Sequence, residues 1–310
     1  MNTVNPASQW RLNMAKKVAL IYAENCNVAA VIVGGSTARG HADRYSDTEI
    51  GVFWHQPPTE AERARVVEQS GADLIQLYPF FEDEQVWCDD FMIGQAAPNQ
   101  PNSGLLVEVA HHTVDFMEAT LKAALRQYNP DELKQNLIAG VLDGVPIPAV
   151  NPTSGSELLT EWKKRASRYP RELALAVVRR HAQIDHFWRW QMWLARGDNR
   201  MMLYQSFFEV QQKLLHILLG LNRRFYFGFK WLDFVLDQMD IKPKDFNQRL
   251  KRVYLLGPAK GALILTALVE ETYDLVEAHL PEVDVKWLRQ VFRYQRPALD
   301  QAPTINTKKS

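Results

Sequence analysis

The stretch VIVGGSTARGHADRYSDTEIGVFW, residues 31–54, decides how this 310-residue chain is read. It sets Gly34, Gly35 and Ser36 at the end of one apolar run, and two acids, Asp47 and Glu49, at the start of the next. Neither feature helps to build a core. Residues two apart on an extended strand project from the same face, so Asp47 and Glu49 aim together while Ile50 and Val52 take the opposite, buried side. Two carboxylates side by side repel unless a cation lies between them, and Mg²⁺ takes carboxylates together with substrate phosphates. The glycines let backbone N–H groups approach a phosphate closely. The short helix that GGS opens adds a favourable dipole, and Ser36 offers a hydroxyl. The spacing predicts a site for a nucleoside triphosphate and its metal ions.

A third acid would complete a two-metal site. In GLLVEVAHH, residues 104–112, Glu108 alternates with Val107 and Val109. A lone carboxylate in such a run is costly unless it is paired or holds a metal, which makes Glu108 the candidate. His111 and His112 are adjacent on the same predicted strand, so they point to opposite faces and serve structural roles.

Outward from this stretch, the first half mixes helix and strand signals. A helical pattern over about 9–25 leads into VAAVIVGG, and the strand TEIGVFW ends before Pro57 and Pro58, which a central strand cannot continue through. Thr59 caps a helix with Glu62 three residues on. DLIQLYPF (73–80) and QVWCDDFMI (85–93) read as short strands, the second at a sheet edge, and NQPNSG (99–104) reads as a loop. Thr113 then caps a helix to about residue 127. This predicts an α/β (α+β) domain with a small mixed sheet over 1–145.

The Pro/Gly/Ser-rich GVPIPAVNPTSG, residues 144–155, is the expected linker. Beyond it the 3.6-residue period predicts an all-helical domain over 155–296, with helices at 155–168, 170–196, 199–220, 229–239, 244–254, 259–280 and 284–296. Gly197 and Gly220 stand where C-caps belong. His181, His186, Trp188, Trp190 and Trp193 fall in one long helix and read as core or interface. Residues 297–310 read as a flexible tail.

Hydrophobic residues make up 46% and charged residues 23%, as in ordinary folded proteins. No apolar run is long enough to cross a bilayer, the N-terminus lacks the apolar stretch of a secretory signal, and two cysteines give no disulfide framework. The expectation is a cytoplasmic protein. The zero net charge hides an asymmetry: residues 1–150 carry 10 Lys+Arg against 19 Asp+Glu, and residues 151–310 carry 26 against 17. Such a balance lacks the strongly basic footprint of a dedicated nucleic-acid binder.

GGSTARGHADRYSDTEIGVFW resembles the G-[GS] … D-x-[DE] signature of the polymerase-β-like nucleotidyltransferase superfamily. The resemblance is closest to stand-alone bacterial members such as aminoglycoside and lincosamide nucleotidyltransferases. It covers the N-terminal domain and extends loosely to LLGLNRRFYFGFKWL, residues 218–232. It implies a nucleotidyltransferase domain followed by a helical substrate- and nucleotide-clamping domain. Gly34, Gly35 and Ser36 would contact the triphosphate, with Arg39 touching phosphate or bracing the loop and Lys230 clamping phosphate from the helical side. Asp47, Glu49 and Glu108 would be the catalytic, metal-binding acids.

The implied cofactor is Mg²⁺, with an NTP such as ATP as co-substrate. The family prefers Asp where this chain has Glu49 and Glu108, which leaves Mn²⁺ preference, slower turnover or a non-catalytic nucleotide-binding relic as alternatives. Asp115 is the second choice for the third acid, and Glu118 or Asp115 could assist deprotonation. The expected acceptor is a small hydroxylated, aminoglycoside-like molecule, with tRNA or protein as the alternative. No membrane partner is expected, and the sequence leaves the oligomeric state open.

Overall fold

VAAVIV forms strand β1 (Val28–Val33), buried along its whole length, because sheet lies on both sides of it and helices cover it. TEIGVFW forms β2 (Thr48–Trp54), where Thr48, Ile50, Val52 and Trp54 are buried and Glu49 is exposed. These strands belong to a computed structural model that describes residues 5–95, 103–148, 155–185 and 187–304. The chain divides into two compact units, 1–173 with 225–228, and 174–224 with 229–310.

In the first unit, α1 (Pro6–Ala23) precedes β1, and α2 (Gly35–Arg39) lies between β1 and β2. After β2 come α3 (Glu60–Gln69), β3 (Asp73–Leu77), β4 (Trp87–Ile93), β5 (Leu105–Thr113), α4 (Val114–Arg126), α5 (Glu132–Asp143), β6 (Val145–Ile147) and α6 (Gly155–Ala166). The six strands form one mixed sheet in the order β3-β4-β5-β2-β1-β6. β2 and β5 run parallel, and the other neighbours are antiparallel.

The two sheet faces differ in kind. On one, Val31, Ile50, Val52, Phe91, Val107 and Val109 pack with Ala15, Val18, Ala19 and Tyr22 of α1 and Val66 and Val67 of α3. On the other, Phe53 meets Trp162 of α6 at 5.0 Å between ring centroids, and His112 stacks on Phe116 of α4 at 5.5 Å. The expected capping box forms: the Thr59 hydroxyl accepts from the Glu62 amide while the Glu62 carboxylate accepts from the Thr59 amide, an arrangement worth about 1 kcal/mol.

Several expectations need correction. β4 is not an edge strand; it lies between β3 and β5, and the largely exposed DLIQL of β3 forms the edge. α5 and β6 were not anticipated, although Asp131 caps α5 by accepting from the Lys134 amide at 3.0 Å. The expected boundary between 145 and 155 falls inside the first unit, because α6 buries Trp162 against Phe53 of the sheet. Residues 149–154 of the expected linker, most of the NQPNSG loop, His186 and residues 305–310 of the tail lie outside the described residues.

The second unit is helical: α7 (Arg171–His181), which enters from the first unit, then α8 (Phe187–Arg196), α9 (Arg200–Leu221), α10 (Leu232–Asp237), α11 (Phe246–Leu255), α12 (Pro258–His279) and α13 (Val285–Arg293). The single helix expected over 170–196 is therefore two. Trp190 is core, as expected, edge-on to Phe207 at 5.3 Å and donating to Ser206 Oγ. Gly197 ends α8 in a left-handed conformation. Gly220 instead lies inside α9, where a Cβ would come within 3.1 Å of Val178 Cγ2 and 3.3 Å of the Ala174 carbonyl, so it permits close helix packing and is not a cap. Among the described residues no helix is long and apolar enough to cross a membrane.

Candidate active site

The glycine turn and the second acid meet directly. Gly35 has φ +61, and a Cβ built there would lie 2.4 Å from Glu49 Oε1 and 2.5 Å from its Cδ. Only glycine admits that conformation at low cost and leaves room for the carboxylate. The Gly34 amide donates to the Glu49 carbonyl at 2.8 Å, which ties the turn to the start of β2. α2 is five residues long, so its dipole is small, and anion affinity would come mainly from the turn's backbone N–H groups.

The acids form a row across three strands. Glu49 of β2 is the register partner of Glu108 on parallel β5, and Glu108 is the partner of Asp90 on antiparallel β4. Register partners project from the same face. Glu49 and Glu108 are exposed, while Asp47, just before β2, and Asp90 are half-buried. The structure thus brings Gly34, Gly35, Glu49 and Glu108 together, with Asp47 two residues from Glu49. Asp115 lies instead in the first turn of α4, beyond the end of β5.

Asp90 was missed. The signal was present in the alternation of WCDDFMI, but the adjacent pair Asp89–Asp90 left open which acid faced the site. The Tyr78 hydroxyl donates to Asp90 Oδ2 at 3.2 Å, and the carboxylate raises the phenol's pKa. On the same face, Cys88 is pushed up to about 11, first by burial and then by Asp90 and other acids, and so remains a thiol. Both cysteines are free.

Arg11 was also missed. It lies on the buried stripe of α1 with Ser8, Ala15, Val18 and Tyr22, where a lone arginine in an apolar period was the available signal. Its Nε donates to the Ser46 carbonyl at 2.9 Å, immediately before Asp47. Burial lowers its pKa, and the carboxylates of Asp43 and Asp47 oppose that shift. Two further α1 bonds hold the same loop: the Ala42 amide donates to Ser8 Oγ at 2.9 Å, and Asn5 Nδ2 donates to the Ala42 carbonyl at 2.9 Å. The N-terminal half of α1 thereby fixes the segment between the glycine turn and Asp47.

Other expected residues are engaged elsewhere. Arg39 donates through Nε to Asp143 Oδ2 at 2.8 Å and lies over the Phe227 ring at 4.7 Å. Glu118 accepts from Trp162 Nε1 at 2.6 Å and from Arg165 NH1 at 2.9 and 2.8 Å, so it ties α4 to α6 and is poorly suited to act as a base. Lys230 is an exposed residue of the second unit. His112 is buried and contacts the Gln85 carbonyl through Nδ1 at 3.1 Å.

Residues 153–232 match a family described as a domain of unknown function, DUF4037. No curated protein matches. Among solved structures, the chain is similar to a nucleotidyltransferase-like protein from Exiguobacterium sibiricum 255-15, at 14% identity and a TM-score of 0.39, covering 88% of this chain and 80% of that one. It is also similar to the Cid1 poly(U) polymerase in complex with its short product ApU, at 10% identity and a TM-score of 0.25, covering 45% of this chain and 42% of that one. A MgGTP-bound Cid1 structure gives 9% identity and a TM-score of 0.27, covering 45% and 43%. The fold is a mixed six-stranded α+β unit with a helical C-terminal region. The functional reading rests on the residues of the site, and the finer likeness to antibiotic-modifying members rests on the sequence motif alone.

Proposed function

We propose that this protein is a metal-dependent nucleotidyltransferase that moves a nucleoside monophosphate from an NTP to an acceptor hydroxyl and releases pyrophosphate. The observation that carries this reading is the register of Glu49 with Glu108 beside the Gly34–Gly35 turn. Like charges directly opposite each other in a sheet are destabilising, so the arrangement favours a cation-binding role over a structural one.

The donor set fits a hard divalent ion. Asp47, Glu49 and Glu108 offer only carboxylate oxygens, which suit Mg²⁺ or Mn²⁺, and the missing Cβ of Gly35 gives the Glu49 carboxylate the room it occupies against the glycine turn. Bound there, the ion would neutralise triphosphate charge and acidify the attacking hydroxyl.

The chain's own residues do the rest. Backbone N–H groups at Gly35 and Ser36 would hold the triphosphate on the turn that the Gly34 amide ties to the Glu49 carbonyl, and α1, through Arg11, would keep Asp47 in place. The acceptor oxygen forms a bond to the α-phosphorus, the bond from that phosphorus to the bridging oxygen breaks, and the hydroxyl proton passes to a carboxylate or water. Asp90 lies across Glu108 from the glycine turn, which makes it the carboxylate on the acceptor's side. An acidic row of this kind suits a small, hydroxylated and cationic acceptor. Lys230 is assigned to the triphosphate by resemblance alone.

The test is direct. Pure protein is incubated with Mg²⁺ or Mn²⁺, each labelled NTP and a panel of aminoglycosides, lincosamides, tRNA and protein acceptors. Acceptor-dependent label transfer and pyrophosphate release that vanish in Asp47→Ala are the expected result. NTP binding without turnover under either metal would instead identify a non-catalytic relic.

A further inference from the structure

β4 and β5 each carry a doubled residue, Asp89–Asp90 and His111–His112, and the pairs create a register problem. Successive strand residues face opposite sides, so a one-residue slip exchanges every side chain between core and site. In WCDDFMI both alternating sets contain apolar residues and one aspartate: Trp87, Asp89, Phe91 and Ile93 on one side, Cys88, Asp90 and Met92 on the other. In LLVEVAHHT both sets contain a histidine. Apolar patterning alone therefore discriminates weakly between the two alignments of β4.

A buried polar chain makes the choice. Trp54 Nε1 of β2 donates to His111 Nδ1 of β5 at 3.1 Å. With Nδ1 accepting, the neutral ring carries its proton on Nε2, which donates to Asp89 Oδ2 of β4 at 2.8 Å. Arg63 of α3 binds the other Asp89 oxygen and also donates to the Tyr78 carbonyl at 3.1 Å. The side chains of Asp89 and His111 are fully buried, and that of Arg63 is 5% exposed. Tyr22 of α1 closes the site edge-on to His111 at 5.5 Å.

The three strands joined by this chain, β2, β5 and β4, carry Glu49, Glu108 and Asp90 on the opposite face. Asp89 finds an arginine and an imidazole N–H; a one-residue shift of β4 in one direction sets Cys88 in its place and Asp90 where Phe91 is buried, and that partner set is lost. A buried carboxylate without partners is strongly disfavoured, so the network excludes that shift; the opposite shift, which would set Asp90 in the place of Asp89, turns Phe91 and Ile93 out of the core they fill.

We infer that Asp89, held directly by Arg63 and His111 and through His111 by Trp54, is a positioning residue that sets Asp90 opposite Glu108 and, by fixing the ring that Trp54 of β2 also binds, holds β5 against β2, so keeping the metal-binding row in place from the far side of the sheet. The inference rests on the metal-binding part of the nucleotidyltransferase reading and adds to it a residue that never touches substrate.

The experiment compares the full-length wild type with Asp89→Asn and with Val67→Ala, a truncation in the same core that leaves the polar chain intact. Mn²⁺ affinity is measured by water-proton relaxation, beside nucleotidyl transfer and the His111 ring ¹⁵N shifts. Asp89→Asn is expected to weaken Mn²⁺ binding by on the order of 10-fold or more, since small displacements of a site carry large penalties. Val67→Ala is expected to lose stability and keep its Mn²⁺ affinity, and the wild-type ring is expected to show the Nε2–H tautomer. If Asp89→Asn does not fold, Trp54→Phe takes its place, removing one N–H with little change of bulk. Unchanged Mn²⁺ affinity in the network variant, or an equal loss in Val67→Ala, would overturn the inference. A wild type that binds Mn²⁺ but transfers nothing overturns the proposed reaction and leaves this inference standing; one that binds no Mn²⁺ overturns both.

Discussion

Glu108 stands directly across the parallel β2–β5 ladder from Glu49, and no apolar patterning asks for that pairing. In the absence of metal the two carboxylates oppose each other and cost the fold about 0.2–1 kcal/mol. Glu108→Gln is therefore expected to raise stability by that amount in EDTA and to abolish the stabilisation that Mg²⁺ or Mn²⁺ confers on the wild type. Urea unfolding with and without metal checks both halves. A metal-induced gain that survives in Glu108→Gln would remove Glu108 from the ligand set.

Gly35→Ala separates site geometry from stability. The left-handed backbone costs an alanine about 1–2 kcal/mol. The new Cβ would also lie 2.4 Å from Glu49 Oε1, and the easiest relief is for the Glu49 carboxylate to swing away. Loss of transfer is expected to reach about 10²-fold, far beyond what the modest stability change explains. Steady-state kinetics beside a melting curve decides it: an active Gly35→Ala enzyme would show that Glu49 works from another rotamer.

Much of this site was legible before the fold was known, for identifiable reasons. Gly34, Gly35, Asp47 and Glu49 lie within one turn and two strand ends, where local spacing dictates which groups share a face. Glu108 stood out because it alternates with the apolar Val107 and Val109, which the fold buries. Asp90 and Asp89 were not separable, since alternation cannot rank two adjacent identical residues; the arginine that ranks them arrives from α3, 26 positions away. The helical half was readable as helices, yet the reach of the first unit to Leu173 was not. That depends on Trp162 finding Phe53, a contact over long sequence separation that no local period encodes.

Glu118 and Asp90 give opposite predictions for the same charge-removing change. Glu118 is held by Arg165 and Trp162, so Glu118→Gln is expected to lower the melting temperature while leaving kcat within about twofold of wild type, as for a site outside the chemistry. Asp90→Asn is expected to keep NTP binding and to raise KM for the acceptor by about 10-fold or more, the loss of one charge-assisted contact. Initial rates at varied acceptor and varied NTP distinguish the two. A large kcat defect in Glu118→Gln with full stability would restore it as a catalytic base.

Acid stability carries its own signature at His112. Burial between Phe53 and Phe116 pushes its imidazole down to about 4, against the opposing pull of its hydrogen bond to the Gln85 carbonyl, compared with about 6.5 in an unfolded chain. As pH falls, the unfolded state takes up the proton first. The fold therefore keeps this contribution above about pH 6.5, loses it progressively down to pH 4, and regains none below, a total of about 3 kcal/mol. His111, lowered by its own burial, adds a loss of the same sign. In His112→Phe the ring stacking persists and the proton site is gone. Urea unfolding at pH 8 is expected to show a penalty of about 1 kcal/mol for the missing hydrogen bond. At pH 4 the variant is expected to be the more stable of the two proteins. Parallel acid profiles for wild type and variant would place the titrating group elsewhere.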